Sequence, residues 1–261
     1  MIRSAIAALL FHSISYSQNN IKDFGMQSSI IHQFKSSAIF ENFAMAKKSS
    51  THDLFISINN QFEIEELNSI HIGFGTNLKD KALGVGYSFQ QENNLFRHNL
   101  NLGIQMEYAS KWFFSPIIKI QSLHIENYPL KSQYEASVSF GIRHKPKPNW
   151  DIGLLASHVL LLEKGLMKLI LSPFLSFTFQ NHLIIALQGK ISNQTSSSTF
   201  LLQMLYKSVN NYGVFFNYNL EANSVYIGFT HKKSKFQWNL LLGYHTNLGY
   251  SPSLEFQHFW P

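Results

Sequence analysis

Twelve histidines are the first candidates for chemistry in this chain of 261 residues. A metal site built on one element needs its ligands at short, regular spacing, and no His-x-x-x-His or His-Glu-x-x-His pair occurs. There is no cysteine, which excludes thiolate ligands, disulfides and thiol redox chemistry. Glu107, Glu135 and Glu255 could do acid/base work, but each stands alone, beside cations such as Lys119 and Arg143 that would simply pair with it. No Gly-x-Ser-x-Gly, phosphate-binding loop or dinucleotide fingerprint is present, and nothing supplies a nucleophile with its base. The expectation is a protein without catalytic residues, cofactor or metal. On that view the histidines are scattered, with His71, His182 and His245 on one side of the strands and His124, His231 and His258 among apolar residues on the other.

The elements that would have to position these residues are strands. From Asp53 onward apolar and polar residues alternate with period two, as in Ile70, Ile72 and Phe74 against His71, Gly73 and Gly75. Leu100, Leu102, Ile104, Met106 and Tyr108 alternate in the same way with Asn99, Asn101, Gly103, Gln105 and Glu107. Similar runs at 83–90, 134–142, 169–179, 183–191, 200–206, 212–218, 225–231, 236–244 and 254–260, with less regular ones at 53–62, 112–128 and 149–159, bring the number to about fourteen, mostly near the length of a tilted membrane strand. In a soluble sandwich the outer face would carry Lys, Glu and Thr. Here one face is Leu, Ile, Phe and Tyr, and the other is Asn, Gln, Ser and Gly.

The fold class expected is therefore all-β: a transmembrane antiparallel barrel with lipid outside and water inside. Its lumen would be lined by Asn99, Asn101, Gln105, Glu107, Glu135, Gln188, Gln203, Asn217, Asn239 and Gln257. Glycines 73, 75, 84, 86 and 103 lie inside strands, where a missing side chain permits curvature or the close approach of a plug. Trp112, Tyr128, Trp150, Trp238, Tyr244 and Trp260 fall near strand ends, where an aromatic girdle would meet lipid headgroups. Composition agrees, with 14% charged and 15% aromatic residues against about 25% charged in an average soluble domain. No window of about eighteen residues is continuously apolar, so a helical membrane protein is excluded.

Ahead of the strands the chain divides in two. Residues 1–17 read as a secretory signal: Arg3, an apolar stretch from Ala5 to Phe11, and small residues before Gln18. Residues 18–50 carry Ile30, Ile31, Phe34, Ala38 and Ile39 at helical spacing and are expected to form a short helix or plug, leaving 51–261 as the barrel.

The net charge is +6, yet the lysines form no Arg-rich stripe, and nucleic acid is not an expected partner. Counting connections from a periplasmic N-terminus places Lys79, Lys81, Lys111, Lys145, Lys147, Lys207, Lys232, Lys233 and Lys235 on the periplasmic rim, with Asp80 as the acid among them. The outer connections carry Glu63, Glu65, Glu66, Glu92, Glu126, Glu163 and Glu221. Such a basic ring could dock an acidic periplasmic protein. The partners expected are outer-membrane lipid, the barrel assembly machinery through the aromatic C-terminal strand, and such an acidic or secretion-system protein.

The C-terminal residues also carry a likeness. The run Gly243-Tyr244-His245-Thr246-Asn247-Leu248-Gly249-Tyr250-Ser251-Pro252 before the strand ending Phe259-Trp260-Pro261 resembles the penultimate hairpin of the PorV/PorQ-like outer-membrane proteins of Bacteroidetes, relatives of the FadL transporter fold. The Ser17-Gln18 junction is similar to signal cleavage sites common in that phylum. The Gly-Met-Gly-Gly-Ala and Asn-Pro-Ala elements usual near the mature N-terminus of that family are reduced here to Phe24-Gly25-Met26-Gln27 and Asn42-Phe43-Ala44. The resemblance implies a docking or shuttle role in or beside type IX secretion in a Gram-negative outer membrane. A FadL-like or passive transporter of small apolar or polar solutes is the alternative.

Overall fold

The structure is a computed structural model, and its described residues are 35–40, 42–46, 51–60, 67–92, 94–125, 133–161, 167–180, 182–192, 198–208, 211–220 and 224–260. The signal segment, residues 18–34 with Phe24-Gly25-Met26-Gln27, Ile30, Ile31 and Phe34, Tyr128 and the loop acids Glu63, Glu65, Glu66, Glu126, Glu163 and Glu221 lie outside them. Fourteen strands follow two short helical turns, α1 (Lys35–Ala38) and η1 (Phe43–Met45). The strands are β1 (His52–Asn60), β2 (Asn68–Leu78), β3 (Lys81–Glu92), β4 (Leu95–Tyr108), β5 (Trp112–Ile125), β6 (Gln133–His144) and β7 (Trp150–Leu161). The second half comprises β8 (Met167–Phe179), β9 (Leu183–Ser192), β10 (Ser198–Lys207), β11 (Tyr212–Asn219), β12 (Ser224–Lys233), β13 (Phe236–His245) and β14 (Gly249–Trp260).

Each strand pairs antiparallel with its sequence neighbours, and β1 closes on β14 with His52 opposite Trp260 and Asn59 opposite Ser253. Closure removes both sheet edges, so the backbone donors and acceptors are satisfied within the sheet, as hydrocarbon surroundings demand. Pairing lapses at Pro116 on β5 and Pro173 on β8, since a proline has no N–H to give to the ladder.

Alternation sorts the residues. Ile58, Ile72, Phe74, Leu102, Ile118, Val138, Leu187, Ile227 and Leu240 point outward and remain exposed, and similar residues surround the whole barrel. An apolar surface of that extent would be untenable in water and is what a lipid-facing wall requires. Connections 79–80, 109–111, 145–149, 180–182, 208–211 and 234–235 lie at one end, here named the turn rim. Their tightness shows in the backbone: Lys79, Ala109, Ser110, Gln180, Asn211 and Ser234 all take positive φ, between 47° and 64°. The other connections lie at the loop rim.

The inner face departs from a purely polar wall. Ser57, His71, Asn99, Gln121, Ser172 and Asn239 point inward, but so do Phe55, Phe113, Phe174, Leu205, Phe215, Tyr226, Leu241 and Phe259, all buried. His182 is a second departure. It is exposed in the β8–β9 turn, with its ring Nδ1 3.1 Å from the carbonyl of Lys207, rather than inward on a strand.

Candidate functional site

The interior holds α1 and η1, which form a plug against β1–β6 in the half of the barrel nearer the turn rim. Its apolar contacts come from Ala38, Ile39, Phe43 and Ala46 packed with Ala82 of β3 and Ile117 of β5. The seat is cut into the wall by glycine. A Cβ on Gly84 would come 2.6 Å from the Phe43 ring, one on Gly86 2.7 Å from Ile39, and one on Gly103 2.5 Å from Ile39. Gly73 and Gly141 would collide with the Ser36 carbonyl and the Asn42 side chain. Of the five glycines picked out in the sequence, 73, 84, 86 and 103 thus make room for the plug, and Gly141, in the run 134–142, adds a fifth position that the sequence does not single out.

So short a segment cannot satisfy its own backbone, and the wall supplies the missing partners. The Ser36 N–H donates to Asp53 Oδ1 on β1 at 2.6 Å, and Asn101 Nδ2 donates to the Ile39 carbonyl at 3.4 Å. Gln105 Nε2 lies 3.1, 2.9 and 3.0 Å from the carbonyl oxygens of Phe43, Ala44 and Ala46. Arg143 donates to the Met45 carbonyl at 2.8 Å, stacks over Phe113 at 3.9 Å, and lies 3.5 Å from Asp151. Within the plug, Asn42 caps η1 by accepting from the Ala44 N–H at 3.1 Å. Phe40 meets His71 edge to face at 5.5 Å.

The ten residues expected to line a water-filled lumen all fall on the inward parity of their strands, but in different settings. Asn101 and Gln105 clasp the plug, and Asn99 donates to Ser88 Oγ at 2.9 Å. Asn239 donates to Glu255 Oε2 at 2.8 Å and accepts from Gln237 at 3.1 Å. Gln203 and Asn217 are buried on the opposite wall and Gln257 on β14 beside β1, Glu135 and Gln188 are half-buried, and Glu107 is exposed by the turn rim. Asp53 and the plug-binding role of Arg143 escaped the sequence reading, although Asp53 is the lone acid among the inward residues of β1.

Facing the plug seat from β9–β13 is an apolar row. Ile184 is opposite Leu205, Leu205 opposite Phe215, Phe215 opposite Gly228, and Gly228 opposite Leu241. Gly228 lets the Phe215 ring lie flat on the wall, since a Cβ there would stand within the ring, and Gly243 does the same for Tyr226. The sequence signal for this row is adjacent apolar residues in a period-two pattern, as at Ile184-Ile185, Phe215-Phe216 and Leu240-Leu241-Leu242, which make both faces of a strand apolar.

The basic residues gather as the topology requires. Lys79, Lys81, Lys111, Lys145, Lys147, Lys207, Lys232, Lys233 and Lys235 all lie at the turn rim, Lys207 and Lys232 on the inward parity and Lys81 and Lys233 on the outward one. Lys232 Nζ lies 5.3 Å from the Phe259 ring. Among the described residues no three His, Asp or Glu side chains gather in a metal-ligand arrangement.

No known family and no curated protein matches the chain. Solved structures share its fold. The CymD monoaromatic hydrocarbon channel matches with a TM-score of 0.61 at 10% identity, covering 86% of this chain and 93% of that one. The toluene transporter TbuX of Ralstonia pickettii gives 0.62 at 9% identity over 87% and 94%. The toluene transporter TodX of Pseudomonas putida gives 0.56 at 9% over 86% and 92%.

Proposed function

We propose that this barrel is a non-catalytic outer-membrane channel for small solutes, and that apolar, ring-sized solutes are its cargo. The observation that carries the proposal is the apolar row Ile184, Leu205, Phe215 and Leu241 inside a closed barrel, across from a wall-bound plug. A pore for ions gains nothing from burying aliphatic side chains such as Ile184, Leu205 and Leu241 on its inner face, whereas an apolar solute needs a wall that does not compete for it with water. The fold shared with hydrocarbon channels is consistent with that use. A docking or shuttle role in type IX secretion, implied by the closing hairpin, draws on about ten residues of sequence and leaves the apolar row without a use.

Uptake of labelled toluene by Gram-negative cells whose outer membrane excludes it tests the proposal. Cells bearing the folded barrel should take it up faster than barrel-free cells, and Phe215→Asn together with Leu205→Asn should remove the gain. Uptake equal to that of barrel-free cells, with the barrel folded in the outer membrane, would refute the proposal.

A further inference from the structure

All four tryptophans, Trp112, Trp150, Trp238 and Trp260, point outward at the turn rim. Histidines are interleaved with the same belt. His144 stacks on Trp112 at 4.1 Å, and His258 lies 4.4 Å from Phe236 and 4.1 Å from Trp260. His231 sits between Tyr212 at 4.4 Å and Trp238 at 5.6 Å. Lysines stand at the same end, at intervals around the circumference, with Asp80 the acid carried by these turns.

Tryptophan and tyrosine settle where hydrocarbon gives way to headgroups, so this belt fixes the level at which the barrel meets lipid phosphate. Cations on the outward parity at that level face lipid directly. We propose that the turn rim is a binding surface for anionic phospholipid headgroups, held by Lys81 and Lys233 on the outer face, with Lys235 at the turn between β12 and β13. An acidic protein is the competing occupant, and two features disfavour it. A protein capping the mouth would meet the turn lysines but not the outward Lys81 and Lys233, and one docked on a flank would need cations gathered on one side. The ring instead follows the perimeter, as a lipid annulus does. The proposal rests on the outer-membrane barrel described above but not on its cargo, so toluene uptake and lipid preference can fail separately.

The tryptophans provide the assay, since every intrinsic fluorophore of this kind lies beside the surface in question. The full chain is reconstituted in nanodiscs of phosphatidylcholine, and quenching by spin-labelled phosphatidylglycerol is compared with quenching by spin-labelled phosphatidylcholine. Wild type should prefer the anionic lipid by at least about threefold, and raising the salt should shrink the preference. Lys81→Gln with Lys233→Gln should reduce it towards unity while the barrel keeps its heat-modifiable mobility. Lys111→Gln with Lys147→Gln should reduce it less. Equal quenching by both lipids in wild type would overturn the proposal. So would retention of polyglutamate by the detergent-solubilised barrel that depends on Lys111 and Lys147, with no lipid preference, because that outcome assigns the ring to an acidic protein.

Discussion

Replacing Gln105 by Leu should release the plug without opening the barrel. The substitution keeps the volume but deletes the amide that faces three plug carbonyls at 2.9 to 3.1 Å. Phe43 O retains a second donor, the Ala46 N–H at 3.1 Å, so Ala44 O and Ala46 O are the groups left without this partner. A buried acceptor stripped of its donor costs about 1–3 kcal/mol, and taking the low end for water that enters beside the plug gives about 2–3 kcal/mol against the seated state. That corresponds to a rise of roughly 30- to 160-fold in the ratio of displaced to seated plug. The chain contains no cysteine, so Met45→Cys introduces a single thiol, at a residue 5% exposed when seated. Its rate of reaction with an aqueous maleimide reports the displaced fraction. The rate should climb by that factor in the Gln105→Leu background, with heat-modifiable migration unchanged because Gln105 takes no side-chain part in the strand ladder. A rate within about twofold of the parent would refute the clasp, since so small a change corresponds to less than 1 kcal/mol.

Gly84→Val and Gly86→Val should also raise labelling at Met45→Cys, by denying Phe43 and Ile39 their seat, while Gly249→Ala should not, since the strain of its positive φ falls on the loop-rim turn and no plug atom lies near it. Leu102→Arg or Val138→Arg should lower folding stability in a urea titration by about 2–4 kcal/mol if they face the bilayer midplane, whereas Gln188→Arg, half-buried on the inner parity, should be tolerated. Asn101 is a poor choice for the tolerant control, because it lies under the plug at Ile39. Intact-mass measurement of the protein from an outer-membrane fraction should find residues 1–17 absent, and a chain starting at Met1 in the cytosol would refute the signal reading.

Strand number and face assignment were legible because both follow from a period of two, which survives along nearly the whole chain. Of the runs at 53–62 and 112–128 the described strands cover His52–Asn60 and Trp112–Ile125, and the closing strand, expected from Leu254, begins at Gly249. Its first residues, including Ser251-Pro252, look like turn chemistry, yet Pro252 is tolerated in the ladder opposite Leu242. The plug was visible as a change of period and as glycines with no local reason to be there. What pairs with what was not visible: Asp53 meets Ser36 across 17 positions, and Arg143 meets Met45 across 98. Separations of that size are set by barrel closure, and alternation says nothing about which inward residue faces the plug. The apolar row is not legible for a related reason, since the same pattern equally describes a strand with one apolar face.

The plug is also a tethered ligand. Five Cα steps separate Ala46 from Thr51 at the foot of β1, and at roughly 3.3–3.6 Å each they reach about 17 Å at full extension. Once out of its seat the segment therefore stays tied at the turn-rim mouth, with Ala46 never farther than that from Thr51. Its effective concentration at the glycine seat is then on the order of millimolar. A separate peptide copying residues 35–46 would have to exceed that concentration to hold the seat. Reseating is consequently first order and independent of protein concentration, so each barrel would close by itself after every opening.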